Sequence, residues 1–305
     1  MQHTSHLEIS RAAVHHNLAY IQKQAGSKVI ISSVVKGNAY GHGIEPFARL
    51  ALEVGIRHFS VFSAQEAQRV KSVVGPDTTI LIMGFVADED LPWVLENEVE
   101  VFVFEFDRLH HLLAEAERLD KAALLHVEIE TGMNRTGFDE REFDALIQLL
   151  LHHQKHLRLK ALCTHLAGAE HLANHLRVQS QIRKYHHACD VFAQAGLQPL
   201  LKHVACSAAF INYPETHFDL LRIGILQYGF WPSQETYVLQ MQVKRSFSKD
   251  PLKRALSWKS RVMAIKEVKA GEYVSYGTSY LASRKLRIAI VPCDAGIMHP
   301  PEQSP

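Results

Sequence analysis

Short apolar runs alternate with helical segments along the first 225 residues, and this alternation restricts the possible folds more than any other feature of the chain. Eight runs have the length and apolar composition of buried strands: 29–35, 58–62, 79–83, 99–104, 124–129, 157–164, 201–205 and 218–221. Helical segments lie between them at 45–54, 64–73, 106–119, 140–151 and 172–195. Eight strands separated by helices fit a (β/α)8 barrel, whereas a doubly wound sheet usually has fewer strands. The sequence therefore predicts an α/β protein with a TIM-type barrel.

The pattern changes after Trp231-Pro232, where helical segments give way to strand-like ones. The predicted strands of this second part are 238–243, 257–269, 272–275 and 286–291. The sequence thus predicts a barrel domain at 8–234 and a separate C-terminal β domain at 235–293. The remaining residues, 294–305, are rich in proline and are predicted to be disordered.

The composition favours a small ligand. The 33 Lys and Arg residues nearly balance the 32 Asp and Glu residues, which argues against a nucleic-acid partner. No apolar stretch approaches the roughly 20 residues that span a bilayer, so no membrane is expected. Cysteines lie scattered at Cys163, Cys189, Cys206 and Cys293. Their spacing fits neither a disulfide framework nor a metal site, so a cytoplasmic protein is predicted.

Histidine is unusually frequent, with 20 residues, and this raises the question of a metal site. Several of the histidines form adjacent pairs in polar, helix-like segments, such as His15-His16 and His186-His187. Neighbouring side chains on a helix point in different directions and do not readily bind one metal ion. We therefore expect no metal.

Lys36 occupies a position suited to covalent chemistry. It follows the predicted buried strand 29–35, so its amine is expected to be partly desolvated, which lowers a lysine pKa. A neutral amine is the form that makes a Schiff base. The alternative is a surface lysine at the start of a loop. Gly37, Gly41 and Gly43 weigh against it, because glycines allow a backbone to approach a phosphate closely.

Other candidate residues follow other predicted strands. Arg135 comes after the fifth strand, His165 after the sixth, Ser207 after the seventh and Arg222 after the eighth. Barrel enzymes build their active sites at the carboxyl ends of the strands, so these side chains should converge with Lys36. Taken alone, Arg135 could equally be a solvated loop residue, and Ser207 could equally be an ordinary helix cap.

Five segments resemble motifs of the alanine racemases. They are 33–43 (SVVKGNAYGHG), 130–137 (ETGMNRTG, against D-T-G-M-x-R-x-G), 203–208 (HVACSA, against H-x-A-N-S-A), 222–229 (RIGILQYG, against R-x-G-I-x-x-Y-G) and 275–280 (SYGTSY, against S-Y-G-x-x-Y). The motifs occur in the family's order, and the similarity extends from about residue 6 to residue 293. The resemblance implies an isomerase that interconverts L- and D-alanine as a homodimer, with the opening strand, within residues 1–9, pairing with the β domain.

The resemblance also implies that pyridoxal phosphate is the cofactor and that Lys36 binds it covalently as a Schiff base. The other residues implied to bind the cofactor are Tyr40, His165, Ser207, Arg222, Gly224 and Ile225. Arg222 is implied to face the pyridine nitrogen. An arginine does not transfer a proton to that nitrogen as an acid would, and this favours return of a proton to the α-carbon over transamination.

Two catalytic bases are implied, Lys36 and Tyr276, because racemisation removes a proton from one face of the α-carbon and returns one to the other. In the family the tyrosine comes from the partner subunit, where Thr164 and His165 would hydrogen-bond to it. Arg135 is implied to hold the substrate carboxylate or the cofactor phenolate. The implied product is D-alanine, a peptidoglycan precursor, although the motifs leave alanine and serine open as substrates.

Two departures from the family pattern matter. Many members carry a carbamylated lysine where this chain has Glu128, and a glutamate supplies the same negative charge, so Glu128 is expected to orient Arg135. After 290–292 the family continues with x-G-Y-A-D-G, but here Cys293 is followed by Asp294-Ala295-Gly296. The expected gate tyrosine is missing, and the β domain is predicted to be incomplete.

These departures leave alternative functions open. One is a catalytically weak or inactive barrel that binds pyridoxal phosphate. Barrels that only store the cofactor lack the β domain, so Ser275-Tyr276-Gly277 argues against membership of that class. Another is an amino-acid decarboxylase of the same fold type. The decarboxylases use an acidic residue at the pyridine nitrogen, and Arg222 argues against that reading.

Overall fold

The computed structural model describes residues 4–199, 201–243 and 250–292. The strands in this part of the chain are β1 Ser5–Ile9, β2 Ile30–Val34, β3 His58–Val61, β4 Thr79–Ile82, β5 Glu100–Val103, β6 Ala123–Glu128, β7 Leu157–Cys163, β8 Leu201–His203, β9 Leu220–Ile223, β10 Leu256–Ser260, β11 Ala264–Val268 and β12 Leu286–Ile290. The α-helices are α1 Arg11–Ala25, α2 Ile44–Glu53, α3 Ala64–Lys71, α4 Leu91–Glu96, α5 Phe106–Leu119, α6 Phe143–His152, α7 His175–Gln194, α8 Ser207–Asn212 and α9 Gln234–Val243.

Strands β2 to β9 form a parallel, nearly closed barrel. Their order is β8-β7-β6-β5-β4-β3-β2-β9, so seven neighbouring pairs are joined in one sheet. The seam between β8 and β9 is bridged by two backbone hydrogen bonds, from Asp219 N–H to the Lys202 carbonyl and from Arg222 N–H to the Ala205 carbonyl, each 3.0 Å long. This arrangement confirms the TIM-type barrel, and all eight predicted barrel strands are present within a few residues of their predicted bounds.

The barrel strands form because their side chains are buried on both faces. Every residue of β3 and of β9 is buried, as expected for parallel strands enclosed by helices. Helix α5 illustrates the outer layer, since its buried residues Leu109, Leu112, Leu113 and Ala116 follow the spacing of one helical face. Each fully buried leucine contributes about 1.5–3 kcal/mol relative to an exposed one, so such faces hold the helices on the barrel.

The chain divides into two compact units. The barrel unit comprises Arg11–Ala255, and the β unit comprises Met1–Ser10 and Leu256–Pro305. In the β unit, β1 pairs antiparallel with β10, which confirms the pairing expected for the opening strand. Strand β11 pairs antiparallel with β12. The predicted disordered tail, 294–305, lies outside the described residues.

Some of the strand predictions for the second part of the chain are wrong. Residues 238–243 form the end of helix α9, not a strand. The physical reason is an N-cap that the apolar pattern hides: the Ser233 hydroxyl accepts a hydrogen bond of 3.0 Å from the Thr236 N–H. The predicted strand 257–269 is split into β10 and β11, and 272–275 contributes only an isolated bridge between Tyr273 and Leu281.

None of the helices in the described part of the chain is both long enough and apolar enough to cross a membrane.

Candidate functional site

A cavity of about 660 Å³ opens at the carboxyl ends of the barrel strands. It is lined by nine of the ten predicted site residues: Lys36, Tyr40, Glu128, Arg135, His165, Ser207, Arg222, Gly224 and Ile225. These residues belong to different strands and loops, and the closing of the barrel brings them together, as the strand-end argument predicts. We refer to this space as the barrel cavity.

Lys36 begins a left-handed turn, Lys36–Tyr40, which directly follows β2. Gly37, Asn38, Ala39 and Tyr40 have φ values of 61°, 53°, 54° and 53°. A left-handed conformation costs a residue other than glycine about 1–2 kcal/mol, so such a run persists only where the surroundings fix it. The turn places Lys36 and Tyr40, its two ends, in the barrel cavity.

Helix α3 fixes this turn through Glu66. One Glu66 carboxylate oxygen accepts hydrogen bonds from the N–H groups of Gly37, at 2.7 Å, and Asn38, at 3.3 Å. The other oxygen accepts from the Phe62 N–H at 2.9 Å. A single carboxylate thus ties the lysine-bearing turn to the residue that follows β3.

Arg69, three positions after Glu66, makes a second attachment. Its guanidinium donates to the Asn38 side-chain oxygen at 2.8 Å and forms a forked pair with Glu45, at 2.6 and 2.7 Å. The Arg69 hydrogen bonds lower the pKa of Glu45 to about 2, so this carboxylate is charged at neutral pH. Glu66 and Arg69 therefore hold the turn by its backbone and by the Asn38 side chain.

Charge and burial favour neutral forms of two groups in the barrel cavity. Burial lowers the pKa of the Lys36 amine, and the positive charges of Arg135 and Arg222 lower it further. Burial also lowers the pKa of His165 to about 3, with Arg222, Arg135 and Lys36 adding to the effect. The cavity thus combines an amine that loses its proton more readily than an ordinary lysine with two arginines that attract anions.

Tyr40, Ser207 and Gly224 form a cradle suited to a phosphate. The Ser207 hydroxyl accepts a hydrogen bond of 3.0 Å from the Gly224 N–H. A Cβ atom on Gly224 would lie only 2.9 Å from the Tyr40 hydroxyl, so glycine keeps the space open. Ile225 follows as the first residue of a short 3-10 turn. Hydroxyl groups and backbone N–H groups are donors that a phosphate ester accepts, and the chemistry of this cradle therefore fits pyridoxal phosphate.

Arg222 is buried and firmly held. Its guanidinium donates to the Thr164 carbonyl at 2.8 Å and to the carbonyl of His203 at 3.3 Å. It also donates to Nδ1 of His203, and Nδ1 of His165 lies 3.5 Å away. These contacts fix the orientation of the guanidinium at the base of the cavity.

Glu128 and Arg135 both line the cavity but are not joined to each other. Glu128 is buried at the end of β6 and accepts a hydrogen bond of 2.7 Å from the Thr136 hydroxyl. Among the ion pairs of the described residues, none links Glu128 to the exposed Arg135. The expected contact is therefore replaced by a contact to the neighbouring threonine, and an orienting role for Glu128 stays a prediction.

Tyr276, the tenth predicted residue, belongs to the β unit and not to the residues that line the barrel cavity. Its side chain is fully exposed. It lies in a turn in which Ser275 and Thr278 both have positive φ values. The structure thus gathers nine predicted barrel residues into one site. Tyr276, the predicted second base, is not among the residues that line this site.

The sequence analysis missed an apolar wall of the cavity, formed by four phenylalanines and a methionine. Its residues are Phe62, Met83, Phe85, Phe102 and Phe104. Phe62, Met83 and Phe104 each come directly after the last residue of a barrel strand. The strand-end rule that selected Lys36 would have found them, had it been applied to apolar residues. Within the described residues, no group of three His, Cys, Asp or Glu residues is arranged to hold a metal ion.

Two family models match the chain. The model described as "Alanine racemase, N-terminal domain" matches residues 9–232, and the one described as "Alanine racemase, C-terminal domain" matches residues 255–294. An alanine racemase of Desulforamulus reducens is 33% identical over 290 residues, which cover 93% of this chain and 74% of the relative.

Solved structures of alanine racemases are also similar to this chain. The alanine racemase from D-cycloserine producing Streptomyces lavendulae has a TM-score of 0.86 at 26% identity, covering 96% of this chain and 74% of that one. The alanine racemase from Bartonella henselae, with covalently bound pyridoxal phosphate, has a TM-score of 0.78 and covers 95% of this chain and 75% of that one. At 22% identity, the second likeness concerns the fold alone.

Proposed function

Because the chain belongs to the alanine racemase family, we propose that it is a pyridoxal-phosphate-dependent racemase that interconverts L- and D-alanine. One observation carries this proposal. The Lys36 amine, with its lowered pKa, shares a cavity with the phosphate cradle of Tyr40, Ser207 and Gly224. A covalent anchor and a phosphate site in one cavity are the two features that this cofactor needs.

The cofactor, when bound, supplies an electron-withdrawing ring that makes the α-hydrogen of an amino acid acidic. The cradle and Ile225 hold the phosphate end. Arg222 would face the pyridine nitrogen, where a guanidinium can donate a hydrogen bond but does not transfer its proton. Lys36 Nζ would hold the aldehyde end of the cofactor, and its neutral amine would accept or return a proton on one face of the α-carbon.

Tyr276 is proposed as the base on the other face. Racemisation needs a second proton donor opposite Lys36, and a phenol hydroxyl can serve. We propose that Tyr276 is supplied by the partner subunit of a homodimer, which fits its full exposure in the β unit. Cytoplasmic location and the preference for alanine over serine belong to the same proposal.

Arg135 is proposed to hold the substrate carboxylate. Its position at the cavity edge and its permanent positive charge suit a forked pair with that group. Glu128 accepts a hydrogen bond from Thr136, the residue next to Arg135, and adds a buried negative charge to the same wall of the cavity. This charge is proposed to compensate part of the positive potential that Arg135 and Arg222 create.

A weaker activity is the second candidate. All nine predicted residues that line the cavity belong to the barrel unit, so the groups proposed to bind the cofactor are supplied by that unit. The chain would then bind pyridoxal phosphate but racemise alanine slowly or not at all.

Borohydride reduction tests the anchor. Protein incubated with pyridoxal phosphate is reduced, digested and mapped by mass spectrometry, and the pyridoxyl group is expected on Lys36. Lys36→Arg should lose the label, while Lys28→Arg should keep it. A label on another lysine, or none on folded protein, would contradict the proposal.

Turnover is measured separately. L-alanine is incubated in deuterated water with the loaded protein, and the formation of D-alanine and the deuterium at the α-carbon are followed. Both should appear together if protons are exchanged at that carbon. Cofactor bound to Lys36 without either signal would favour the second candidate.

A further inference from the structure

A line of buried polar side chains runs through the barrel beneath the cavity. It begins at Glu100, the first residue of β5, at the amino-terminal end of the barrel. It passes through His126 in β6 and His203 at the end of β8, and it ends at Arg222. Glu100, His126, His203 and Arg222 are each at most 5% exposed. Only Arg222 of these four residues lines the cavity.

The contacts along this line are continuous. His126 Nε2 lies 2.8 Å from a Glu100 carboxylate oxygen, and His126 Nδ1 lies 2.8 Å from His203 Nε2. His203 Nδ1 is bonded to the Arg222 guanidinium. Further groups touch the Glu100 carboxylate, since Lys160 Nζ and His58 Nε2 each lie 3.5 Å from it.

The two ends of the line dictate where the protons lie. A guanidinium only donates hydrogen bonds, so His203 Nδ1 must accept from Arg222. A neutral imidazole carries one proton, which His203 must then hold on Nε2 and donate to His126 Nδ1. By the same reasoning His126 carries its proton on Nε2 and donates it to Glu100, whose carboxylate only accepts. The tautomers of His126 and His203 are therefore fixed by the guanidinium at one end of the line and by the carboxylate at the other.

Burial supports neutral histidines in the middle. It lowers the pKa of His203, and the charge of Arg222 adds to this effect. It also lowers the pKa of His126, although Glu100 opposes the shift. At Glu100 burial raises the pKa, but the hydrogen bond from His126 and the nearby His58 ring outweigh it, and the net direction is downward. A buried carboxylate and a buried guanidinium thus stand at opposite ends of two neutral rings.

We propose that Glu100, His126 and His203 form a directional hydrogen-bond relay that holds Arg222 in place, so that Glu100 is a positioning residue for the cofactor site. The effect on cofactor binding rests on the proposed function, whereas the relay itself does not. Through the relay, the negative charge of Glu100, which does not line the cavity, stabilises the Arg222 guanidinium. An isolated buried guanidinium would be costly, and the relay supplies its acceptor and a distant compensating charge.

The first experiment uses the cofactor-free protein with ¹⁵N-labelled histidine. Long-range ¹H–¹⁵N spectra should show His126 and His203 neutral, with the proton on Nε2, throughout the range from about pH 5 to about pH 8 in which free histidines titrate. Exposed His110 serves as the internal control for the pH series. A proton on Nδ1 of either ring, or a charged ring at neutral pH, would overturn the relay.

The second experiment is a double-mutant cycle with Glu100→Gln and Arg222→Lys, read out as the dissociation constant of pyridoxal phosphate. Glu100→Gln keeps the shape and an acceptor oxygen but removes the charge. It should weaken binding roughly tenfold beside the native Arg222, the size of effect expected when a hydrogen bond to a charged group becomes a hydrogen bond to a neutral one. In the Arg222→Lys background it should have little effect, because the group it acts through is gone.

Equal losses in both backgrounds would contradict a positioning role and indicate general destabilisation. Glu96→Gln, at the exposed last residue of helix α4, is the matched control and should leave the dissociation constant unchanged. If Glu100→Gln does not fold, the tautomer measurement on the unaltered protein decides alone. Failure of the unaltered protein to bind pyridoxal phosphate would contradict the proposed function. The relay would then be judged by the tautomers of His126 and His203 alone.

Discussion

At the scale of single residues, the site depends on groups held in unusual protonation states. The Lys36 amine is partly buried, and the positive charges of Arg135 and Arg222 act on it. Each of these influences disfavours the ammonium form, and only Glu66 opposes them. A lysine in this environment has a larger neutral fraction near pH 7 than an ordinary lysine, whose pKa is about 10.4.

The rate at which Lys36 combines with pyridoxal phosphate should therefore rise with pH and reach half its maximum below the ordinary lysine pKa. Arg135→Gln should move this midpoint upward, because removing a positive charge stabilises the ammonium form. Stopped-flow absorbance at a series of pH values measures it. Arg49→Gln, on helix α2, is the control substitution. An unchanged midpoint in Arg135→Gln would show that the charge of Arg135 does not contribute to the lowered pKa of Lys36.

His165 gives a prediction for stability. Its pKa is lowered to about 3 in the folded protein, chiefly by burial, against about 6.5 for a free histidine. Between these values the unfolded chain binds more protons than the folded one, so stability should fall as the pH drops from about 6.5 towards 3. His165→Asn should make the curve less steep in this window. Denaturant unfolding at several pH values tests this, and an unchanged slope would contradict it.

At the scale of secondary structure, the left-handed turn Lys36–Tyr40 is the element most dependent on its neighbours. Its four residues with positive φ would not keep this conformation alone, and helix α3 supplies the restraint through Glu66 and Arg69. The link from α3 to the turn thus determines how well Lys36 and Tyr40 are placed in the barrel cavity.

Glu66→Ala should loosen this turn without unfolding the barrel. The N–H groups of Gly37, Asn38 and Phe62 lose their common acceptor, so their hydrogen exchange should accelerate roughly tenfold or more. Hydrogen-exchange mass spectrometry of the peptide around 33–43 measures this. Gln68→Ala, on the exposed side of α3, should change nothing. Equal protection in both variants would mean that other contacts hold the turn.

The same elements show what a sequence can predict. The barrel strands were recognisable because strands buried on both faces are mostly apolar. Lys36 and Ser207 then followed from the strand ends, whereas Arg222, predicted to follow its strand, lies within β9. The full left-handed turn was not recognisable, because Ala39 and Tyr40 carry no signal for positive φ, unlike Gly37 and Asn38. Helix α9 was mistaken for a strand because its apolar residues fit both periods, and only the Ser233 cap distinguishes them.

At the scale of the whole molecule, the two units are expected to contribute separable functions. The barrel unit holds the cavity and Lys36, and the β unit holds Tyr276. The β unit also exposes apolar side chains, with Ile265 61% exposed and Val291 45% exposed. Exposed apolar surface of this kind often marks a place where another surface packs.

Tyr276→Phe should separate the two functions. Loss of a general acid or base typically costs on the order of 10²- to 10⁴-fold in rate, so racemisation should fall by that amount while borohydride labelling of Lys36 stays complete. Tyr280→Phe is the matched control in the same unit. Equal racemisation rates in Tyr276→Phe and the unaltered chain would remove Tyr276 from the mechanism.

The order in which the barrel strands pair has a consequence for how the protein acquires its site. Strand β2 pairs with β9, so Ile30 meets Leu220 after nearly all of the barrel sequence has intervened. Contacts so distant in sequence form late in folding. Lys36 follows the first of these strands and Gly224 the second, so the anchor and the phosphate cradle meet only when this pairing is made. During synthesis, a chain still lacking β9 has no competent site, and a bound ligand then selectively stabilises the completed barrel.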